Sequence, residues 1–97
     1  MKTFRTYQLA IAFHKSCHGL KLNSHVKDQF DRALLSIALN LSEGAAKPTS
    51  RDRKKFYYIA LGSLREVQTI LELFGTKELK TQADTLGAHL YRLATRS

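Results

Sequence analysis

Cysteine, proline and tryptophan are nearly missing from this chain: one Cys, one Pro and no Trp in 97 residues. A single thiol, Cys17, forms no internal disulfide and cannot by itself supply a cysteine-based zinc site. One proline and five glycines leave few obligatory breaks, so long uninterrupted elements are expected. No stretch approaches the roughly 20 apolar residues that span a bilayer, and no membrane role is expected. The apolar run at 9–13 meets His14 and Lys15 at once, too short and interrupted for a secretory leader, so a cytoplasmic location is expected. Acids are scarce too. Eight Asp and Glu face 16 Lys and Arg, a formal net charge of +8 and a pI near 9.9.

What is present is ordinary for a globular domain. At 43% hydrophobic the chain is too apolar for a disordered tail. Its length confines it to one domain, residues 1–97, around one modest core. Period-2 runs of β-branched or aromatic residues are lacking, so sheet is not expected.

Helical periodicity is plain. Leu79, Ala83, Leu86, Leu90 and Leu93 form one stripe of a last helix. Val26, Phe30, Ala33, Leu34, Ile37 and Leu41 form a second helix. Asn23 or Ser24 is placed to cap its start, and Gly44 to supply a left-handed residue at its end. A first helix over about 6–19 aligns Leu9, Phe13, Cys17 and Leu20. Pro48 closes the second helix, and Thr49 with Asp52 makes a capping box with a shortened acid. A third helix then spans about 50–74 and stops at Gly75, after which Thr76 caps the last. Four helices on short connections favour antiparallel neighbours, hence an all-α, up-down-up-down four-helix bundle.

The third helix carries more apolar surface than one core face needs. Phe56, Ala60, Ser63, Val67, Ile70 and Phe74 form a stripe, Tyr57, Leu64 and Leu71 widen it, and Ile59 and Leu73 lie further round. Two readings stay open: a broad core-facing helix, or a subunit interface using Tyr57, Ile59, Gly62, Ser63 and Leu73. Gly62 costs about 1 kcal/mol relative to alanine inside a helix, a cost that close approach of a neighbouring backbone could offset.

Positive charge is concentrated at one point. Lys47, Arg51, Arg53, Lys54 and Lys55 stand within nine positions against one acid, Asp52, and so hold half of the excess. They occupy a helix start, where free amides and the macrodipole already favour anions, so stacking cations there is locally unfavourable. A phosphate-bearing partner, RNA or DNA, would compensate; a solvated basic turn that aids solubility is the alternative. Tyr58 is placed to stack on unpaired bases. Lys2, Arg5, Lys15, Lys21, Lys27, Arg92 and Arg96 read as scattered charge suited to backbone contact.

Catalytic chemistry finds little support. His14 and His18 have the spacing of a two-histidine metal face, yet no His-Glu-x-x-His pattern accompanies them, and a third ligand would have to come from His25 or His89. Cys17 has no identifiable orienting partner, and no glycine-rich phosphate loop occurs. No catalytic residue, metal or cofactor is expected.

The central stretch is more specific than its charge. Gln29-Phe30-Asp31-Arg32-Ala33, then Ser36-Ile37-Ala38-Leu39-Asn40-Leu41-Ser42-Glu43-Gly44, then Ile59-Ala60-Leu61-Gly62-Ser63-Leu64-Arg65-Glu66 resembles the 23S rRNA intervening-sequence protein family. That family shows Gln-x-x-Arg-Ala, Ser-Ile-x-x-Asn-Ile-Ala-Glu-Gly and Ile-Ala-x-Gly-Ser-x-x-Glu in the same order. The resemblance implies a four-helix bundle, assembly as a homopentameric ring, and kinship with diversity-generating retroelement accessory proteins that associate with nucleic acid and a reverse transcriptase. Two positions depart from the pattern: Ala38 replaces a common proline, and Arg53 a common aromatic. The matched polar residues, Arg32, Ser36, Asn40, Glu43 and Arg65, read as a structural network. Within it Glu43 is expected to pair with Arg32, Arg51 or Arg65, or to accept amides at the third helix, while Ser36 and Asn40 bridge helices or subunits. The resulting expectation is a non-enzymatic homo-oligomer that binds nucleic acid through phosphates. The alternative is an assembly module for another protein, such as a reverse transcriptase.

Overall fold

The computed structural model describes residues 2–96. Four helices account for nearly all of it: α1 (Lys2–Ser16), α2 (Ser24–Ala45), α3 (Ser50–Phe74) and α4 (Lys77–Arg96), with one 3-10 turn, Cys17–Gly19, after α1. No strand occurs among the described residues. Three side chains set the helix starts by taking an otherwise orphaned amide. Asn23 Oδ1 accepts from the Val26 N–H at 3.0 Å, Thr49 Oγ1 from Asp52 at 3.2 Å, and Thr76 Oγ1 from Leu79 at 3.2 Å.

Two sequence expectations need correction. The first helix begins at Lys2, four residues before the expected start. Its opening turn is held by tertiary contact, because Thr3 Oγ1 meets the buried Tyr57 hydroxyl at 3.3 Å. Gly44 is not a left-handed terminus. No residue with positive φ occurs among those described, and α2 continues through Gly44 to Ala45. The glycine serves close approach: a Cβ at Gly44 would lie 2.7 Å from Tyr57 Cε1.

α3 packs against α2 on one side and α4 on the other, and α1 closes the bundle by contacting α2 and α4. Phe13, Phe30, Ile37, Leu41, Leu86 and Leu90 fill the centre together with the stripe Tyr57, Ala60, Leu64, Val67 and Leu71 of α3. That stripe keeps Ala60 and Val67 of the expected one and takes Tyr57, Leu64 and Leu71 from the residues expected to widen it. Phe56 and Ile70 sit at its edge, and Phe74 is exposed. Tyr57 is therefore withdrawn from the interface set: it is 0% exposed, the largest fully buried side chain, and has no surface to offer a second subunit. Ser63 is likewise buried, at 8%. Ile59 and Leu73 are exposed, at 45% and 69%. No described helix is long and apolar enough to cross a membrane.

Candidate nucleic-acid interface

The corner between α2 and α3 is built by local rules. The Ala46 and Lys47 amides turn back onto the Glu43 and Gly44 carbonyls at 3.3 and 3.1 Å, ending α2. Pro48 cannot continue the ladder, and Thr49 caps the next helix. The five expected cations then divide into two kinds. Arg53 is structural: Nη1 donates to the Lys47 and Pro48 carbonyls at 3.2 and 3.0 Å, so its guanidinium clamps the corner. Lys47 is half engaged, with Nζ 3.1 Å from Glu43 Oε2 and 5.2 Å from the Phe56 ring centroid. Arg51, Lys54 and Lys55 form neither an ion pair nor a hydrogen bond among the described residues, and Arg51 and Lys55 are exposed. Tyr58 is 51% exposed beside them.

Tertiary packing then gathers charge that looked scattered. Thr3 touches Tyr57, and Tyr57 touches Gly44, so the start of α1 lies at the same end of the bundle as the α2–α3 corner. Lys2 and Arg5 of α1 line one groove with His89 and Arg92 of α4, which brings the α4 terminus, with Arg96, to that end as well. The end thus collects Lys2, Arg5, Arg92 and Arg96 with the five cations at 47–55, against two acids, Glu43 and Asp52. The other seven cations are nearly balanced by six acids. The bundle measures 40 × 22 × 18 Å, so its end section is narrow and carries almost all of the excess. Sequence reasoning missed this because positions 2–5 and 92–96 meet only through the fold.

Some of the polar motif residues share one α2–α3 face. Ser36 Oγ and Ser63 Oγ are 2.7 Å apart, and Asn40 Nδ2 donates to the Ser36 carbonyl at 2.9 Å and to its hydroxyl at 3.1 Å. Gln29, Arg32, Ser36, Ser63 and Glu66 line a shallow groove of about 250 Å³ there. The expected five-residue network does not close. Glu43 takes Lys47 rather than an arginine, and Arg65 Nη1 donates to Gln68 Oε1 at 2.7 Å, whose Nε2 reaches Asp84 at 3.0 Å. Arg32 is exposed and has no partner among the described residues. Ser63, placed above in the interface set, belongs instead to the Ser36–Asn40 cluster. A Cβ at Gly62 would meet nothing within 4 Å, so no backbone of the same chain offsets that glycine.

His14 and His18 line a groove with Cys17, Lys27 and Asp31, but no group of three metal-ligating side chains forms among the described residues. Burial pushes the Cys17 thiol up to about 11, so at neutral pH it is almost wholly protonated and a poor nucleophile. His89 is held below its ordinary 6.5 by burial, by Arg92 and by Arg5.

No curated protein and no solved structure matches the chain significantly. The family match is broad, covering residues 2–94 and so all four helices, beyond the central motifs. With those motifs gathered on the α2–α3 face, the chain belongs to the 23S rRNA-intervening sequence protein family.

Proposed function

We propose that this protein is a non-enzymatic, cytoplasmic nucleic-acid-binding bundle that assembles as a homo-oligomer, a pentameric ring, and grips RNA or DNA by its phosphates. The observation that carries the reading is the end face, where nine cations meet two acids. An up-down-up-down chain path is what brings the α1 start, the α2–α3 corner and the α4 terminus together. Contacts in opposite order along neighbouring helices support that path: Ser36 with Ser63 and Gly44 with Tyr57, then Gln68 with Asp84 and Leu64 with Gly87. A section about 22 Å wide spans about six phosphates of one strand at a 3.4 Å rise. Repetition around a ring would multiply those contacts by avidity. Self-association is supported by the α2–α3 face, where Arg32, Glu66, Ile59 and the open space over Gly62 lie without partners in the chain.

Binding of a labelled single-stranded oligonucleotide should weaken steeply as salt rises. Reversal of Arg51, Lys54 and Lys55 to glutamate should abolish it. Binding indifferent to salt, or absent in the intact oligomer, would reject the reading. Light scattering should show an oligomer at micromolar concentration, and a monomer would remove the ring. Exposed Leu35, Leu39, Leu73 and Phe74 favour a second reading, an assembly module for another protein such as a reverse transcriptase of a diversity-generating retroelement. Salt-insensitive capture of such a partner by the triple reversal variant would select it.

A further inference from the structure

The α1–α4 groove is lined by charge of one sign. It measures about 540 Å³ and is lined by Lys2, Arg5, Thr6, His89, Arg92 and Leu93. Three permanent cations and an imidazole surround it, and no acidic side chain among the described residues does. Four other grooves mix signs; the one between α3 and α4, for example, sets Lys77 and Lys80 against Glu72 and Asp84. Thr6 is already satisfied, its hydroxyl donating to the Lys2 carbonyl at 2.9 Å, so the open donors are those of Lys2 and Arg5 and the Arg92 nitrogen not turned to His89.

The groups facing His89 are Arg92 from its own helix and Lys2 and Arg5 from α1. Arg92 Nη2 donates to His89 Nδ1 at 3.4 Å, which sets that positive group against the ring and favours the neutral imidazole. Like charges lining a concave surface focus the field there and raise the local concentration of anions. A phosphodiester fits such a surface: it carries one negative charge at every working pH and several acceptor oxygens for guanidinium donors.

We propose that the α1–α4 groove is a phosphate-binding site that takes one or two phosphodiesters of a nucleic-acid backbone, held by Arg5 and Arg92 with Lys2 at the rim. The site lies on the same bundle end as the α2–α3 corner and rests on the reading of that end as a nucleic-acid surface. It extends the contact from one corner to the opposite helix pair. Burial is the larger cause of the lowered His89 pKa; an anion in the groove offsets the part that Arg92 and Arg5 add, so occupancy raises the His89 pKa, and the groove tightens as pH falls.

The test uses the full chain and a fluorescent single-stranded 12-mer, with anisotropy read from 25 to 200 mM salt at pH 8 and 5.5. R5Q/R92Q should lower the slope of log K against log salt by about 1.5 and weaken binding roughly tenfold at low salt. His89 ring resonances, titrated with and without a dinucleotide, should show its pKa moving up when the phosphodiester is present. A wild-type slope in R5Q/R92Q, with K54Q/K55Q clearly weakened, overturns the groove and leaves the corner standing. An unmoved His89 pKa places the contact outside the groove and also overturns it. Wild-type protein that fails to bind at 25 mM salt removes the end-face reading and this site together. Should the double variant unfold by circular dichroism, the His89 titration in the wild type decides alone.

Discussion

Gly44 and Cys17 show how far one residue's role depends on its neighbours. With a Cβ 2.7 Å from the Tyr57 ring, Gly44→Ala must displace a fully buried aromatic or part α2 from α3. Overpacking of this kind costs about 1–3 kcal/mol, so the melting temperature of Gly44→Ala should fall by several degrees. Differential scanning calorimetry would register it. An unshifted transition would mean that Tyr57 has room to move. Cys17 should resist alkylation in the folded protein. Its thiol, raised from 9.0 to about 11, holds roughly 100-fold less thiolate than an unfolded chain at the same pH. Labelling that is fast before denaturant is added would contradict the buried position. The raised pKa also fixes a sign: the stability Cys17 contributes is present below 9.0 and is lost as pH rises towards 11.

At the scale of an element, α3 sets an engaged arginine beside unpaired lysines within one basic run. Arg53 holds two carbonyls of the corner, so Arg53→Ala should lower stability by about 1–2 kcal/mol and change nucleic-acid binding chiefly by loosening the turn. Lys54 and Lys55 oppose the helix dipole and hold no partner. K54E/K55E should therefore raise stability by some tenths of a kcal/mol while removing binding. Chemical denaturation paired with anisotropy distinguishes the two variants, and equal loss of stability in both would erase the distinction. Gly62 gives a similar contrast. Alanine there meets empty space in the chain and should stabilise α3 by about 1 kcal/mol. If a second copy closes on that face, light scattering of Gly62→Ala will show smaller particles despite the more stable helix.

The whole molecule is electrically lopsided, and its stability should report that. Nine cations on one narrow end repel one another, and added salt screens them. The melting temperature should therefore rise between about 10 and 150 mM salt, before any ligand is added. His89 adds a pH term with a definite direction. Its folded pKa lies below 6.5, so the unfolded chain binds the proton more readily, and stability falls as pH drops through 6.5. Denaturant titrations at pH 8 and 5.5 on the wild type and His89→Gln should show a smaller loss in the variant. An equal loss would assign the effect to other groups.

Much of the fold was legible in residue order. The periodic stripes of α2 and α4, the capping residues Asn23, Thr49 and Thr76, and the break at Pro48 are local features whose physics acts within a turn or two. The Gln-x-x-Arg, Ser-x-x-x-Asn and Gly-Ser motifs marked the family for the same reason, since each is a short pattern on one helix. The α3 stripe was read too broadly because Phe56 and Tyr57 are both aromatic and only packing chooses between them. What tertiary structure alone decided is long-range: that Gly44 makes room for Tyr57, that Ser63 turns to Ser36, and that Arg53 spends its donors inside the corner. The excess of +8 belongs to both levels. Its size is a sum over residues and needs no fold, whereas its concentration on one end depends on distances between helix termini some 90 positions apart, which only folding brings together.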